Sequence, residues 1–179
     1  MEERVIELSK YRFETAVESI EDARLMFNNG RYKNALNRAY YSIFHAIRAV
    51  NTLDGFDSSK HSGVIAFFNQ TYVKEGIFPR EMSRIIKQAY DNREKADYLD
   101  FYVASKDEAE KQILRAEVFA KAIKGYLSKQ GVLDVEKLED FFEGAEDPFY
   151  NESNMNRLRK NAIEMDISGG KIHEVPLGD

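Results

Sequence analysis

The stretch RYKNALNRAYYSIFHAIRAVNTL, residues 31–53, decides the fold because its apolar and polar residues separate at helical spacing. Successive residues of a helix are about 100° apart, so side chains three and four positions apart share a face. One face carries Leu36, Tyr40, Ile43, Ile47 and Val50. The opposite face carries Arg31, Asn34, Arg38, Tyr41, Ser42, His45, Arg48 and Thr52, with no carboxylate. The stretch predicts an amphipathic helix whose polar face suits an anionic ligand.

Arg38 and His45 stand seven positions apart in this stretch. Seven helical steps of about 100° return to within roughly 20° of the starting direction, so both side chains are expected on one face. Arginine can hold a phosphate and stabilise developing negative charge, and histidine can transfer protons near neutral pH. The pair therefore fits phosphodiester chemistry without a metal ion. The alternative is that both are ordinary solvated side chains of a helix surface.

The rest of the chain up to residue 127 also has helical spacing, with no alternating strand pattern. Ser58 or Ser59 is expected to cap the third predicted helix, and Ser105 the last one. The predicted helices cover residues 5–27, 31–53, 58–73, 79–96 and 105–127, with an ordered connector at 97–101. This pattern predicts an all-α protein, an antiparallel up-and-down helical bundle.

The amino-acid composition excludes several classes of protein. The chain has 179 residues, 43% of them hydrophobic, which supports a sizeable core, and it has no cysteine for disulfides or thiolate metal sites. Its three histidines form no metal-binding motif, so neither a metal nor a cofactor is expected. No apolar run is long enough to cross a bilayer, and a cytoplasmic protein is expected. Residues 1–127 carry a net charge of +1 and residues 128–179 one of −6, so only the first part is free of net repulsion from nucleic acid.

Two further groups of charged residues lie outside this stretch. Lys60 and His61 are near a predicted helix start, where they could complete an anion site, although capping or surface placement is the simpler alternative. Arg93, Lys95 and Asp97 are predicted to form structural ion pairs that anchor the connector. The aromatic residues elsewhere are expected in the core, namely Phe67, Phe68, Tyr72, Tyr90, Phe101 and Phe119.

Residues 37–49, NRAYYSIFHAIRA, resemble the signature of small prokaryotic HEPN-domain proteins. Further segments match that group in order and spacing, so that the resemblance covers about residues 5–127; they are KHSGV at 60–64, FP at 78–79 and REKADY at 93–98. The resemblance implies a helical bundle that forms a homodimer through the motif helix. It also implies a metal-independent endoribonuclease that acts on RNA, often as the toxin of a toxin–antitoxin pair.

Carried onto this chain, the resemblance places Arg38 and His45 at the catalytic positions, doubled where two subunits meet. His45 is then expected to move protons between the ribose 2′-hydroxyl and the leaving 5′-oxygen, while Arg38 stabilises the pentavalent phosphorane. A cyclic 2′,3′-phosphate would result. The expected substrate-binding residues are Asn37, Tyr41, Ser42 and Arg48. For the last three, helix-surface or dimer packing is the alternative.

The chain departs from the family pattern at two positions. Many catalytic relatives carry a polar residue directly after the arginine, where this chain has Ala39. Relatives paired with a nucleotidyltransferase often have a nucleotide-accepting tyrosine two positions after the histidine, where this chain has Ile47. The first departure is compatible with low or absent turnover, and the second argues against control by nucleotide transfer.

Residues 128–179 are predicted to form a separate acidic C-terminal arm with short helices and a terminal strand at 171–175. Within the arm, residues 147–175 resemble the toxin-wrapping segment of antitoxins of the RelB and YefM-Phd kind. This resemblance implies an arm that grips a separate toxin or folds over its own body or dimer mate, or else a fusion remnant. An accessory pair of helices is the alternative.

The sequence leaves two functional hypotheses open. The first is a homodimeric HEPN ribonuclease of a toxin–antitoxin or defence system, with a cognate antitoxin as its protein partner. The alternative is a non-catalytic HEPN module that binds nucleotide, RNA or protein, and whose C-terminal arm binds and neutralises a partner toxin.

Overall fold

A computed structural model describes residues 2–133 of the protein. Within this range the chain forms five α-helices and no strand, which confirms the all-α prediction. The helices are α1 Glu3–Asn28, α2 Tyr32–Asn51, α3 His61–Phe68, α4 Glu81–Tyr98 and α5 Lys106–Lys129. Every predicted boundary of α1, α2, α4 and α5 lies within two residues of the observed one. Hydrophobic periodicity therefore predicted the bundle closely.

The third helix differs most from its prediction. It begins at His61, with Lys60 at the N-cap and no side-chain cap, so the predicted cap at Ser58 or Ser59 is wrong. Ser58 Oγ instead accepts a hydrogen bond from the Lys60 amide at 3.2 Å and shapes the preceding turn. The helix ends at Phe68, and the predicted remainder forms a π-helical turn, Asn69–Val73.

The cap predicted at Ser105 is confirmed. Ser105 Oγ accepts a hydrogen bond from the Glu108 amide at 3.1 Å, and Glu108 Oε2 accepts one from the Ser105 amide at 2.9 Å. These two bonds form a capping box, which satisfies backbone donors at the start of α5. At the turn between α1 and α2, Gly30 adopts a φ of 71°, a left-handed conformation that a glycine tolerates.

α2 is the central helix of the described range and contacts each of the other four. Its predicted apolar face is confirmed, because Leu36, Tyr40, Ile43, Ile47 and Val50 are at most 1% exposed. A second face is buried as well, and it consists of small residues: Ala35, Ala39, Ser42, Ala46 and Ala49. α1 is the most extensive neighbour of α2, and Ser9 Oγ donates to the Ala49 carbonyl at 2.8 Å. Small side chains allow such close approach of two helices.

The aromatic residues divide between the core and the surface. Phe68, Tyr72 and Phe119 are buried at 2% exposure or less, as expected. Phe101 is 96% exposed, so its predicted place in the core is wrong. Phe101 belongs to the connector between α4 and α5, where the neighbouring Val103 is exposed as well. No helix among residues 2–133 is long and apolar enough to cross a membrane.

Candidate active site

Arg38 is a half-buried cation on the polar face of α2. Its Nη2 donates to Asn37 Oδ1 at 3.2 Å, and its guanidinium carbon lies 5.1 Å from the centroid of the Tyr41 ring. Within residues 2–133, no carboxylate forms an ion pair with Arg38. The predicted role of Arg38 as an anion-binding residue stays a prediction.

A chain of polar contacts runs behind Arg38 to α4. Asn37 Nδ2 donates to Asp97 Oδ1 at 3.2 Å, and Asp97 Oδ2 lies 3.1 Å from Arg93 Nε. Arg93 also contacts Glu94 at 3.1 Å, and its guanidinium lies 5.5 Å from the Tyr40 ring centroid. The predicted ion pair of Arg93 and Asp97 is confirmed. The Asp97 carboxylate also links this pair to α2 through its hydrogen bond with Asn37.

His45 lies on the same helix as Arg38 and is half-buried. Burial lowers the pKa of His45 to about 4, and the positive charges of Arg48, Arg12 and Arg38 and the His61 ring contribute in the same direction. The imidazole is therefore neutral at neutral pH and has a lone pair that can accept a proton. Neither ring nitrogen makes a hydrogen bond to another described residue.

Arg48, a predicted substrate-binding residue, forms an ion pair with Asp57. Its Nη2 donates to Asp57 Oδ1 at 3.2 Å and Oδ2 at 3.0 Å. Arg12 Nη2 contacts the same carboxylate, and Arg12 Nη1 donates to Thr52 Oγ1 at 2.6 Å. Burial alone would raise the pKa of Asp57, but the hydrogen bonds from Arg48 and Arg12 hold it below its usual value. The carboxylate-free face of α2 thus receives a counter-charge from the loop that follows it.

Ser42 is placed differently from its prediction. The side chain is fully buried and its Oγ has no hydrogen-bond partner among the described residues. It lies in the row of small residues that α2 buries, about 40° around the helix from Arg38. A contact between Ser42 and substrate is therefore excluded in this conformation, whereas Asn37 and Tyr41 are half-buried beside Arg38 and stay predicted substrate contacts.

His61 of α3 contacts the middle of α2. The sequence left open whether this histidine helps to form an anion site. Its Nδ1 lies 2.9 Å from Tyr40 Oη, and its ring stacks on Phe44 with the centroids 4.1 Å apart. Tyr40 is 1% exposed, and burial raises the pKa of its hydroxyl well above the usual value. No local pattern could reveal this contact, because it joins α3 to the middle of α2.

A cavity of about 450 Å³ opens beside Arg38. It lies between the second half of α1, the first half of α2 and the end of α4, and its lining includes Met26, Asn34, Asn37 and Asp97. The cavity is half open to solvent, and its amide, carboxylate and cationic side chains can form hydrogen bonds to a polar ligand. No group of three or more His, Asp or Glu residues that could hold a metal ion occurs in the described part of the chain.

A family model for the HEPN domain matches residues 9–126, which is more than half of the chain. The chain belongs to the HEPN domain family. A "UPF0332 protein" of Thermotoga maritima is 34% identical over 121 residues, which are 68% of this chain and 89% of the relative.

Two proteins of Methanocaldococcus jannaschii are also similar. One is named "Putative toxin MJ0605" and is 38% identical over 116 residues, which are 65% of this chain and 86% of the relative. The other is named "Putative toxin MJ0142" and is 32% identical over 120 residues, which are 67% of this chain and 82% of the relative. The family model ends at residue 126, before the predicted C-terminal arm, residues 128–179. Nearly all of that arm lies outside the described residues, and it stays a prediction.

Proposed function

We propose that this protein is a metal-independent endoribonuclease and the toxin component of a toxin–antitoxin or defence system. Membership in the HEPN family and the two relatives that carry a toxin name support this class. One observation carries the proposal: Arg38, without an ion-pair partner in the described range, shares the polar face of α2 with a neutral His45.

In the proposed reaction the protein accepts one proton from the substrate and donates one to the leaving group. The ribose 2′-oxygen attacks the adjacent phosphorus while neutral His45 accepts its proton. Arg38 donates N–H groups to the phosphorane oxygens as negative charge develops there. The bond between phosphorus and the 5′-oxygen then breaks, and an imidazolium returns a proton to that oxygen. The products are a 2′,3′-cyclic phosphate and a 5′-hydroxyl.

The low pKa of His45 fits the first of these steps. A histidine with a pKa of about 4 is unprotonated at pH 7 and can act as a base without first losing a proton. A bound phosphate opposes the arginine charges that lower this pKa, so it raises the pKa toward neutrality. Protonated His45, or His45 of the partner subunit, then serves as the acid for the leaving oxygen.

The proposal includes a homodimer formed through α2, with a cognate antitoxin as the protein partner. The polar face of α2 supports this arrangement, because Arg38, Tyr41, His45 and Arg48 are each only half-buried in one chain. Two such faces would bring two pairs of Arg38 and His45 into one cleft. Light scattering after gel filtration measures the oligomeric state, and a monomer at micromolar concentration would contradict the dimer.

RNA cleavage in EDTA tests the proposed activity. We expect the wild type to leave 2′,3′-cyclic phosphate ends, and Arg38→Ala and His45→Ala each to cleave at least about 100-fold more slowly. Lys87→Ala is the matched control, since Lys87 is an exposed residue of α4 paired only with Asp91 in the described range. Equal cleavage by the wild type and both active-site variants would refute the proposal, and loss of wild-type activity in EDTA would refute a metal-independent reaction.

A second candidate function is a non-catalytic module that binds nucleotide or RNA and whose C-terminal arm binds and neutralises a partner toxin. The pKa of His45 favours it, because an imidazole with a pKa of about 4 has no proton to give a leaving group before a phosphate binds. Ala39 in place of a polar residue points the same way. RNA binding without cleavage, weakened by both Arg38→Ala and Arg48→Ala, would support this candidate over the nuclease.

A further inference from the structure

The Tyr41 ring lies among three groups that can contact a phosphate. Its centroid is 5.1 Å from the Arg38 guanidinium carbon, 6.2 Å from the His45 ring and 6.1 Å from the His61 ring. The Phe44 ring lies 5.9 Å from His45 and 4.1 Å from His61, so the two imidazole centroids are no more than 10.0 Å apart. His61 is thus a neighbour of the Arg38 and His45 pair, although it belongs to another helix.

We propose that His61 binds the phosphodiester of single-stranded RNA as a fixed hydrogen-bond donor, through its Nε2–H group. The assignment rests on the proposed function, because it adds a substrate contact to the same site. It gives His61 a role distinct from that of His45, which has no hydrogen bond to fix its tautomer among the described residues.

Tyr40 determines which nitrogen of His61 carries the proton. Burial raises the pKa of the Tyr40 hydroxyl far above neutrality, so the hydroxyl keeps its proton. Among the described residues, His61 Nδ1 at 2.9 Å is the one acceptor that this hydroxyl meets, and we therefore assign Tyr40 as the donor of this bond. A neutral imidazole that accepts at Nδ1 must carry its hydrogen on Nε2. His61 therefore presents a donor to a ligand and has no free lone pair with which to act as a base.

The charges around His61 keep it in this neutral form. Burial lowers the pKa of His61, and the positive charges of Arg93 and Arg48 lower it further. Arg93 is itself paired with Glu94 and Asp97, and Arg48 with Asp57, so three carboxylates moderate the local charge. Stacking on Phe44 fixes the plane of the ring. The donor is therefore oriented before a ligand arrives, which lowers the entropic cost of binding.

A purely structural role is the competing explanation, because the bond from Tyr40 to His61 also ties α3 to α2. Two amide substitutions separate the roles. Glutamine places its amide nitrogen near the position of Nε2, whereas asparagine places its side-chain oxygen near Nδ1, where it can still accept from Tyr40. A phosphate-binding role predicts rescue by glutamine, and a structural role predicts rescue by asparagine.

The full-length chain is tested with a fluorescent single-stranded RNA in which every 2′-oxygen is methylated, so that binding is measured without cleavage. We expect His61→Gln to bind within about threefold of the wild type and His61→Asn to bind about tenfold more weakly, since the lost bond is to a charged phosphate. The reverse order would overturn the proposal, and so would wild-type affinity in both variants.

Nitrogen NMR of the wild-type protein provides a second measurement that does not depend on variants that fold. We expect His61 in the free protein to have a protonated Nε2 and an unprotonated Nδ1, and the Nε2 resonance to shift when the methylated RNA is added. In Tyr40→Phe, which lacks the hydroxyl donor, the His61 ring should populate a mixture of both tautomers. An unshifted Nε2 resonance at saturating RNA would overturn the proposal whatever the variants do.

These measurements also separate this inference from the proposed function. A wild type that binds methylated RNA through His61 but cleaves no natural RNA would refute the nuclease and leave the His61 contact established. A wild type that cleaves RNA with His61→Gln and His61→Asn equally active would support the nuclease and refute the contact.

Discussion

Asp57 accepts hydrogen bonds from Arg48 through both carboxylate oxygens, at 3.2 and 3.0 Å. The same carboxylate contacts Arg12, whose side chain is only 9% exposed. Arg12 and Arg48 are two of the cations that lower the pKa of His45. A single residue of the loop after α2 therefore moderates the positive charge around the proposed catalytic base.

Replacing this carboxylate is expected to destabilise the fold. Asp57→Asn leaves the buried Arg12 guanidinium without its counter-charge, and we expect the free energy of unfolding to fall by about 1 to 2 kcal/mol. Asp91→Asn is the matched control, because Asp91 pairs with Lys87 where both side chains are exposed, and its loss should stay below about 0.5 kcal/mol. Urea denaturation measures both values, and equal losses would contradict a special role for Asp57.

Asp97 is expected to act on catalysis through Asn37. Asn37 accepts from Arg38 and donates to Asp97, so removing the carboxylate frees the amide that orients the guanidinium. We expect Asp97→Ala to lower kcat/KM for RNA cleavage by about fivefold. Glu94→Ala is the matched control, since Glu94 also pairs with Arg93 but makes no contact with Asn37 among the described residues.

A double-mutant cycle identifies Asp97 as a positioning residue rather than a general stabiliser. In an Arg38→Ala background, Asp97→Ala should have no further effect on the residual activity. An undiminished fivefold effect there would show that Asp97 acts by another route.

The local parts of the site could be predicted from the sequence. Helical periodicity alone put Arg38 and His45 on one face of α2 and Tyr40 in the core. Helical periodicity could not show how much of the α2 surface is buried. Ser42 lies only about 40° from Arg38, and it is fully buried in the row of small residues on that side of α2.

The long-range parts of the site could not be predicted. Three polar residues from three different segments contact α2, namely Asp57, Asp97 and His61. The sequence around each of them is equally compatible with an ordinary place on the protein surface. In the sequence, the carboxylate-free face suited an anionic ligand. Two of these three residues instead supply carboxylates to it, so Arg38 is the motif arginine that has no ion-pair partner within residues 2–133.

Packing also explains one departure from the family pattern. Ala39 is fully buried, so a polar residue cannot occupy this position without repacking the helices around it. We expect Ala39→Glu to destabilise the protein by about 3 kcal/mol or more and not to increase RNA cleavage. Ala66→Glu on the exposed side of α3 is the control, with a change below about 0.5 kcal/mol. Faster cleavage by a stably folded Ala39→Glu variant would contradict this explanation.

The depressed pKa of His45 predicts that stability decreases as the pH falls from 6.5 toward 4. The unfolded chain binds a proton on this histidine near its usual pKa of 6.5, while the folded protein resists protonation until about pH 4. Between these values the unfolded state carries more protons, and mass action favours it as the pH falls. After allowance for solvent screening at a half-buried site, His45 should lower the free energy of unfolding by about 1 kcal/mol between pH 7 and pH 5.

Urea denaturation of the wild type and His45→Gln at pH 7 and pH 5 measures this contribution. His45→Gln should lose less stability than the wild type over the same interval, because the glutamine does not titrate. His61→Gln is the control for a second histidine whose pKa is also lowered. The two effects are not expected to add in the double variant, because the His61 ring contributes to the lowered pKa of His45. Asp57 and Glu108 have lowered pKa values as well. The stability that these carboxylates contribute to the folded protein is lost only at more acidic pH. Identical pH dependence in the wild type and His45→Gln would mean that the folded protein does not lower the pKa of this imidazole, and the lowered pKa would no longer support His45 as the base.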